Sequence, residues 1–396
     1  MELDRLIEWA WKQADTNPYF RNVIAMGKYE HLVPAALQMG YDPMNPPLFP
    51  LTHALPVQGI PIGNVLEGDR VCGSLNIPTQ AFSVSTLVCG TSGCGKSTLV
   101  KCCIIPHLIG NDIKVIVFDS EDQYHSFLCQ LYPPDKAKAF KPAQFKMNPV
   151  QIPAGMTRDE WINIFTERWR VLYAGEGMIN MLREIMVEGY RSYSVPTLHH
   201  LKAILERKRY KTTERHYNHW ESLRRCFNMI LGTFGKTFDC AEGFLKKDVL
   251  DLTCIIFRMK GLDTLMGNWF QDVFVERLKC AQNPLSSSLK IVIVFEEAHL
   301  RFWDGTQKRG IEIGERLALT HARTLRKYGI GTIYVDQVPS LLPIQVLANL
   351  GTIISFRLIN SKDTRAIGDV MGLSPDQRDE LTSFPNRRAI VFSHLC

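Results

Sequence analysis

One short segment, Gly90–Thr98, constrains this chain more than any other. It fits the pattern G-x-x-x-x-G-K-[ST] of a phosphate-binding loop, or P-loop. The apolar run Ser85–Cys89 before it is typical of a buried strand, and Thr98–Ile105 after it is typical of the first turns of a helix. We therefore predict that the chain binds ATP or GTP. The predicted nucleotide-binding residues are Gly90, Thr91, Ser92, Gly93, Cys94, Gly95, Lys96, Ser97 and Thr98.

The residue types of the P-loop match the chemistry of a bound triphosphate. Glycines let the backbone wrap the phosphates with φ angles that a Cβ atom resists. The following helix N-terminus presents backbone N–H groups and a positive dipole end to the anion. We expect Lys96 to contact the β- and γ-phosphates and the Ser97 hydroxyl to ligate Mg²⁺. A chance glycine-rich turn is the weaker interpretation, because four fixed positions and both flanks match.

Composition excludes several classes of protein. The chain has 396 residues, 45% of them apolar, which is enough for a large core. No run approaches the roughly 18 apolar residues of a membrane span, and the acidic N-terminus lacks a signal-peptide core. The eleven cysteines show no paired C-x-x-C spacing, and several, including Cys89, Cys102, Cys103 and Cys254, lie in apolar runs. We expect a soluble cytoplasmic protein with reduced core thiols and no membrane span.

Alternating apolar strands and helical patterns predict an α/β fold. Continuous apolar strands indicate a parallel sheet that is covered by helices on both faces. The predicted class is therefore a P-loop NTPase of the RecA-like kind, with a mostly parallel sheet flanked by helices and an α-helical insertion. The predicted strands after the P-loop are Lys114–Asp119, Ile291–Glu297, Gly331–Gln337, Gly351–Arg357 and Arg388–Ser393.

Four segments follow from these patterns. Residues 1–80 are a proline-rich lead-in, 81–150 and 248–396 form the two parts of the ATPase core, and 151–247 form the helical insertion. The apolar positions Leu3, Leu6, Ile7 and Ala10 predict a short helix in the lead-in. A strand at Val249–Thr253 and a helix at Gly261–Cys280 are expected to return the chain to the core.

Two acidic residues, Glu296 and Glu297, end a predicted buried strand. Ligands in doubly wound sheets bind beyond the carboxyl ends of the strands. Beside a P-loop, one carboxylate is expected to hold Mg²⁺ and the other to polarise the water that attacks the γ-phosphate. We assign Glu296 to the metal and Glu297 to the water. The alternative is that both carboxylates are ordinary surface charges, which would be the usual interpretation if the chain had no P-loop.

The motifs together resemble the HerA/FtsK superfamily of ring-forming, DNA-pumping ATPases, most closely the HerA branch and the conjugation ATPases near it. The departures are Gln123 where Glu is usual, Leu325 where Gly is common and Val338 where Arg is usual. The resemblance covers roughly residues 84–150 and 248–393. The segments that carry it are Val115–Asp119 with Tyr124, Met147–Pro149, Phe295–His299, Ala322–Gly329, Gln337–Pro339 and Phe356–Asp363.

The resemblance implies an assembly and additional site residues. Gln337 would sense the γ-phosphate, and an arginine would reach the nucleotide of a neighbouring subunit, with Arg326, Arg357 and Arg323 as candidates. A structural ion pair or a solvated helix position is the alternative for each arginine. His299 would either couple the γ-phosphate to DNA-facing loops or pack structurally. The chain would form a homo-oligomer, most simply a hexamer, and would use ATP and Mg²⁺.

Basic residues suggest where DNA would be contacted. Lys202–Arg225 carries eight Lys or Arg against three Glu, with aromatic residues interleaved, which suits a nucleic-acid backbone. A solvated helical face or a subunit contact is an equally weighted alternative. The loop beyond the Glu pair, Arg301–Trp303, is a second candidate. The expected DNA contacts are Arg207, Lys208, Arg209, Lys211 and Arg301.

Three functions are compatible with these residues. The first is an ATP-driven translocase acting on double-stranded DNA without sequence specificity. The second is a conjugation or secretion motor that moves single-stranded DNA or protein. The third is a non-translocating ATPase switch that partners a nuclease or another effector. No nuclease, zinc-finger or helix-turn-helix motif is recognisable in the sequence.

Overall fold

An eight-stranded sheet forms the centre of the computed structural model, in the order β10-β9-β3-β8-β7-β4-β6-β5. A separate antiparallel hairpin pairs Ile60–Glu67 (β1) with Arg70–Ile77 (β2). The sheet strands are Ser85–Cys89 (β3), Lys114–Asp119 (β4), Ala137–Phe140 (β5), Cys254–Arg258 (β6), Ile291–Glu296 (β7), Ile330–Asp336 (β8), Leu350–Phe356 (β9) and Ala389–Ser393 (β10). The structure describes residues 7, 10, 11, 25, 26, 32, 58–67, 70–172, 175–212, 214, 216–240, 251–282, 288–302 and 317–394.

The strand order places the predicted site residues on neighbouring strands. All sheet pairs are parallel except β10 with β9, which is antiparallel. The P-loop strand β3 lies between β8 and β9, and β8 lies between β3 and β7. The loops after β3, β8 and β7 therefore all leave the sheet at the carboxyl ends of these parallel strands, which we call one edge of the sheet. This edge carries the P-loop, Gln337 and the Glu296–Glu297 pair.

Helices flank the sheet on both faces, as the sequence predicted. The helix after the P-loop, α1, runs through Lys96–Leu99, a π-helical segment Val100–Ile104, and Ile105–Gly110. The other helices of the described residues are His125–Leu131 (α2), Arg158–Glu167 (α3), Glu176–Ser192 (α4), Leu198–Arg207 (α5), Tyr217–Phe234 (α6), Thr264–Cys280 (α7), Ala298–Phe302 (α8), Leu317–Thr324 (α9), Ile344–Leu347 (α10), Ser361–Met371 (α11) and Pro375–Ser383 (α12). None of them is long and apolar enough to cross a bilayer.

The two faces of the sheet pack against different layers. On one face, alternate strand residues such as Val88 and Val117 pack with α1, α2 and the β1–β2 hairpin. On the other face, residues such as Leu87 and Phe118 pack with α7 and with helices α3–α6. The helices of the insertion thus share one hydrophobic core with the sheet. Burial of this continuous core links them to the ATPase core.

A ladder of aromatic side chains supports the sheet directly beneath the site. Phe118 is in register with Phe257 on one neighbouring strand and with Phe295 on the other. Its ring stacks on both, with centroid distances of 5.3 and 5.2 Å, and Phe295 also stacks on Tyr334 at 5.8 Å. Each aromatic residue from β4, β6 and β7 precedes the last residue of its strand. Their packing therefore fixes the strand ends from which the acidic residues project.

The predicted strands after the P-loop are confirmed to within a residue at each end. The prediction for the strand that leads from the helical segment back into the sheet is wrong. The prediction placed a strand at Val249–Thr253, of which residues 249 and 250 lie outside the described residues. The strand begins instead at Cys254, because Cys254–Phe257 is a buried apolar run between β4 and β5. Residues 251–253 are not in a strand. Helix α7 begins at Thr264, because the Asp263 side chain caps it by accepting from Leu265 and Met266.

The lead-in and the thiols also differ in part from expectation. The proline-rich lead-in contains two eight-residue strands, β1 and β2, which the sequence analysis did not place. Ile7 and Ala10 are helical, whereas Leu3 and Leu6 lie outside the described residues. Cys89 and Cys254 are buried, but Cys102 is exposed and Cys103 is half-buried, because Val100 and Ile104 form the buried face of their π-helical segment.

Candidate nucleotide-binding and hydrolysis site

The loop between β3 and α1 has the backbone conformation that requires glycine. Gly90, Gly93 and Gly95 have φ angles of 147°, 75° and 116°. A Cβ atom at Gly90 would lie 2.6 Å from Phe356 Cβ and 2.9 Å from Cys94 Sγ. Alanine at this position would therefore displace the loop or the end of β9. The three glycines are thus in conformations that glycine favours, as the predicted phosphate-binding loop needs.

Lys96 begins α1 and is buried against the loop that precedes it. Its ammonium group donates hydrogen bonds to the carbonyl oxygens of Gly90 at 2.8 Å and Thr91 at 3.0 Å. The backbone N–H of Thr91 donates to the carbonyl of Arg357 at 2.9 Å, which ties the loop to the end of β9. A positive charge and the unpaired N–H groups of the first turn of α1 are therefore held together at one place, as anion binding requires.

Glu296 and Asp119 form a buried acidic pair at the ends of β7 and β4. Glu296 is 5% exposed and Asp119 is fully buried. The Glu121 backbone N–H donates to Glu296 Oε2 at 3.1 Å. Asp119 accepts from the backbone N–H groups of Gln123 and Tyr124, each at 2.9 Å. Burial, together with the neighbouring Asp119 carboxyl, raises the pKa of Glu296 well above its usual range.

The expected magnesium ligands, Ser97 and Glu296, offer oxygen atoms of the kind that this ion binds. Mg²⁺ is a hard cation that prefers carboxylate, hydroxyl and water ligands. Ser97 lies in the first turn of α1, and its hydroxyl is near the buried hydroxyl of Tyr124. Burial raises the pKa of Tyr124, the Glu296 and Asp119 carboxylates add to the rise, and Ser97 opposes it. A cation held by Ser97 and Glu296 would stabilise the charge that burial disfavours.

Glu297 follows β7 in a left-handed backbone conformation, with φ at 51°. Such a conformation is uncommon outside glycine and persists where surrounding contacts hold it. Glu297 Oε1 accepts a hydrogen bond from Gln337 Nε2 at 2.6 Å, and Oε2 lies 3.6 Å from His299 Nδ1. Burial raises the pKa of Glu297, while the Gln337 hydrogen bond opposes the rise. A partly buried carboxylate with a raised pKa holds a proton more readily than an exposed one, as a general base requires.

Asp336 is a residue of this site that the sequence analysis did not single out. It ends β8 and is fully buried. Its carboxylate accepts from the backbone N–H groups of His299 at 2.5 Å and Val338 at 2.7 Å, and it lies 3.1 Å from His299 Nδ1. Its carbonyl accepts from the Gly90 N–H at 3.3 Å. Asp336 thus joins the P-loop, the loop of Gln337 and the helix after Glu297.

The side chain of His299 is held by Asp336, a contact that the position of His299 in the sequence did not reveal. The hydrogen bond to Asp336 raises the pKa of His299, burial opposes the rise, and the Asp336 and Glu297 charges add to it. The sequence signal for Asp336 is its position, because an acid that ends a buried strand and precedes Gln337 lies at the same strand ends as Gln337. His299 lies between the acid of β8 and the acid after β7, so it connects the two strand ends.

Two arginines lie beside the P-loop on the side away from Glu297. Arg357 follows β9, and its carbonyl accepts from the Thr91 N–H at 2.9 Å. Its Nε atom is buried and has no hydrogen-bond partner in the described part of the chain. Arg387, which the sequence analysis missed, precedes β10, and its N–H donates to the Cys94 carbonyl at 2.9 Å. Both arginines therefore adjoin the P-loop of their own chain.

Arg326 lies at the opposite edge of the sheet from the P-loop, where the parallel strands begin. It lies in the 3₁₀ turn Leu325–Tyr328 just before β8, and parallel strands begin at the edge opposite to the P-loop. Arg326 and Arg323 are exposed and line a small cavity beside Ser85, the first residue of β3. The Arg326 side chain is thus separated from its own P-loop by the length of β3. Any contact of Arg326 with a nucleotide has to be made to another subunit.

Arg301 is an interior residue, and its expected DNA contact is therefore corrected. It is 4% exposed, because α8 turns into the core immediately after Glu297. Its guanidinium donates to Gln271 Oε1 at 3.1 Å, pairs with Asp272 at 3.2 Å and lies 3.0 Å from His321 Nδ1. A DNA contact would require this buried group to open. Trp303, the end of the same predicted loop, lies outside the described residues.

The basic cluster at the end of α5 is partly exposed. Arg207, Arg209 and Lys211 are exposed, and we call these three residues the 207–211 cluster. Lys208 instead pairs with Glu188 at 3.3 Å and approaches Glu184 at 4.0 Å. Its charge is already partly neutralised within the protein. The DNA contact stays a prediction, and we expect the 207–211 cluster to contribute more to it than Lys208.

Two models of HerA-family domains match the chain. The helicase HerA central domain matches residues 60–215, and the helicase HerA-like C-terminal domain matches residues 283–376. The chain belongs to the HerA-like P-loop ATPases. The central-domain match contains the whole P-loop, and the C-terminal match contains Glu296, Glu297 and Gln337. No curated protein sequence matches the chain.

Three solved structures share the fold of this HerA-like chain. VirB4 of Thermoanaerobacter pseudethanolicus aligns with a TM-score of 0.65 at 15% identity, covering 87% of this chain and 96% of that one. The plasmid coupling protein TrwB in complex with the GTP analogue GDPNP aligns with a TM-score of 0.57 at 14% identity, covering 84% and 86%. TrwB in complex with ADP and Mg²⁺ aligns with a TM-score of 0.56 at 13% identity, covering 80% and 84%.

Proposed function

We propose that this chain is an ATP-hydrolysing motor that assembles into a ring and moves double-stranded DNA. The observation that carries the proposal is the Glu297–Gln337 pair, whose atoms lie 2.6 Å apart. It lies at the sheet edge that also bears the P-loop and the buried acids Glu296 and Asp119. The family supports ATP hydrolysis, and HerA helicase domains support DNA as the substrate.

The proposed chemistry assigns one task to each residue. The P-loop N–H groups and Lys96 hold the phosphates, and bound Mg²⁺ supplies charge neutralisation at the phosphate oxygens. Ser97 and Glu296 are the residues that would hold this ion. Glu297 orients the attacking water and takes its proton, for which its raised pKa is suited.

The Glu297–Gln337 contact suggests how the nucleotide state is sensed. A carboxylate that accepts from Gln337 cannot use the same lone pair to accept from water. A γ-phosphate that draws the Gln337 amide away would release Glu297 for the water. Gln337 lies next to Asp336, which also binds the backbone of His299 in α8. Gain or loss of the γ-phosphate would thus shift α8 against the core.

The proposed ring follows from the placement of the arginines. Arg326 lies on the edge opposite to the P-loop and is exposed, as a residue that completes a neighbour's site would be. Such an arginine is typically worth about 10³–10⁵ in rate. A closed ring satisfies every such head-to-tail contact, and a hexamer is the form that we propose. Arg357 lies beside its own P-loop, so we propose it for the nucleotide of its own subunit.

The alternative cargo is single-stranded DNA or protein, because VirB4 and the conjugative coupling protein TrwB share the fold. A triplex-displacement assay separates the possibilities. Protein, Mg²⁺ and ATP are added to a duplex that carries a labelled third strand, and release of that strand reports movement along the duplex. Lys96→Ala is the matched control. ATP-dependent release supports the proposal, and ATP hydrolysis without release from duplex DNA contradicts it.

A further inference from the structure

The site geometry defines which way a nucleotide would lie across the P-loop. Glu297 and Gln337 follow β7 and β8, on one side of the P-loop strand β3. The γ-phosphate must point toward this side, because hydrolysis takes place there. The nucleoside must then leave on the other side of β3, over the end of β9 and the start of β10. The start of β10 lies at this same edge, because Ala389 of this antiparallel strand pairs with Phe356.

Arg387 lies just before β10, where the nucleoside would leave the P-loop. Its backbone N–H donates to the Cys94 carbonyl at 2.9 Å. Its Cγ atom lies 3.7 Å from the point where a Cβ atom of Gly95 would be, and Phe356 Cε1 lies 3.6 Å from that point. The arginine stem and the aromatic ring thus both lie against Gly95, immediately before Lys96.

The Arg387 backbone is held in a conformation that its side chain disfavours. Its φ angle is 70°, in the left-handed region that favours glycine. The residue is exposed, and within the described residues no hydrogen bond or ion pair involves its guanidinium. A glycine would supply the same backbone bond to Cys94 without this strain. An arginine at such a position indicates a use for the side chain itself.

We propose that Arg387 binds the nucleoside of the P-loop nucleotide, with its guanidinium plane against the base. Guanidinium groups stack on planar π systems, and the contact is tolerant of which base is present. Arg387 is thereby a nucleotide-binding residue that sets nucleotide affinity from within the same subunit. This inference rests on the proposed binding of a nucleotide at the P-loop.

Calorimetric titration of two ligands tests the proposal. Mg²⁺–ADP carries the nucleoside, and Mg²⁺–pyrophosphate carries only the matching phosphates. Arg387→Gly keeps the N–H bond to Cys94 and relieves the strain. We expect it to raise the Kd for ADP by about two- to thirty-fold and to leave the Kd for pyrophosphate unchanged. Arg387→Lys keeps the charge but loses the planar group, so it should weaken ADP binding as well.

The controls separate this proposal from nucleotide binding itself. Arg191→Ala removes an exposed arginine from the end of α4 and should change neither Kd. Lys96→Ala should weaken both ligands, and unchanged binding in that variant would overturn the P-loop assignment and this inference with it. If Lys96→Ala behaves as expected, two results overturn the Arg387 proposal alone. They are an unchanged ADP affinity in Arg387→Gly, or equal losses for ADP and pyrophosphate.

Discussion

Glu297→Gln is the substitution for which the structure makes the sharpest prediction. Glutamine keeps the volume of the side chain, and its Oε1 can still accept the Gln337 hydrogen bond, which is 2.6 Å long in the native protein. Only the negative charge and the ability to take a proton are lost. The site, its nucleotide affinity and its fold should therefore be retained.

The expected loss is in the chemical step. Removal of a general base typically costs about 10²–10⁴ in rate, which corresponds to about 3 to 5 kcal/mol of transition-state stabilisation. Single-turnover hydrolysis of radiolabelled ATP measures this step directly, and calorimetry measures nucleotide affinity in the same preparation. Glu297→Gln should hydrolyse slowly and bind ATP with a Kd within about twofold of wild type.

Two further variants distinguish a catalytic from a structural role. Glu297→Gly relieves the left-handed strain at φ 51°, a gain on the order of 1 kcal/mol that offsets the lost hydrogen bond, so its melting temperature should not fall although its activity does. Glu296→Gln should instead shift the Mg²⁺ concentration needed for activity. Near-wild-type turnover in Glu297→Gln, or a Mg²⁺ shift in Glu297→Gln rather than in Glu296→Gln, would refute the assignment.

Arg326→Ala should be inactive alone, and mixing it with inactive Glu297→Gln should restore part of the ATPase rate through mixed interfaces; no recovery in an assembled mixture would remove Arg326 from the neighbouring site. Reversing the charges of the 207–211 cluster should weaken binding to every duplex alike and lower the salt slope by about 0.9 per lost phosphate contact, with unchanged binding arguing for a solvated surface. Burial lowers the pKa of His321 to about 4. The unfolded chain, in which a histidine has a pKa of about 6.5, takes up this proton at a higher pH than the folded chain does. The contribution of neutral His321 to the free energy of unfolding should therefore be fully present above about pH 6.5 and be lost as the pH falls toward 4. His321→Gln should flatten this part of a plot of melting temperature against pH.

The sequence predicted the parts of the fold that depend on local pattern. The glycines, Lys96 and Ser97 define the P-loop by residue type and spacing, and buried apolar runs define the strands. The acid pair Glu296–Glu297 was found because it directly ends such a run. These signals are local, so they need no knowledge of the neighbouring strands.

The remaining site residues depend on strand order, which local pattern does not give. Asp336 joins the site because β8 lies between β3 and β7, and Arg387 joins it because antiparallel β10 begins at the P-loop edge. Arg326 and Arg357 looked equivalent in the sequence but lie at opposite edges of the sheet. Arg301 is buried because its partners, such as Asp272, lie on α7, and the local pattern around Arg301 does not indicate this contact.

Steady-state ATP hydrolysis with duplex DNA, with single strands and without DNA tests the central claim most directly. We expect wild-type protein with Mg²⁺ to hydrolyse ATP, and duplex DNA to stimulate the rate more than single strands do. Lys96→Ala, in a preparation of equal purity and with an unchanged circular-dichroism spectrum, should lose this activity. Wild-type turnover by Lys96→Ala, or a rate that no form of DNA changes, would contradict the account.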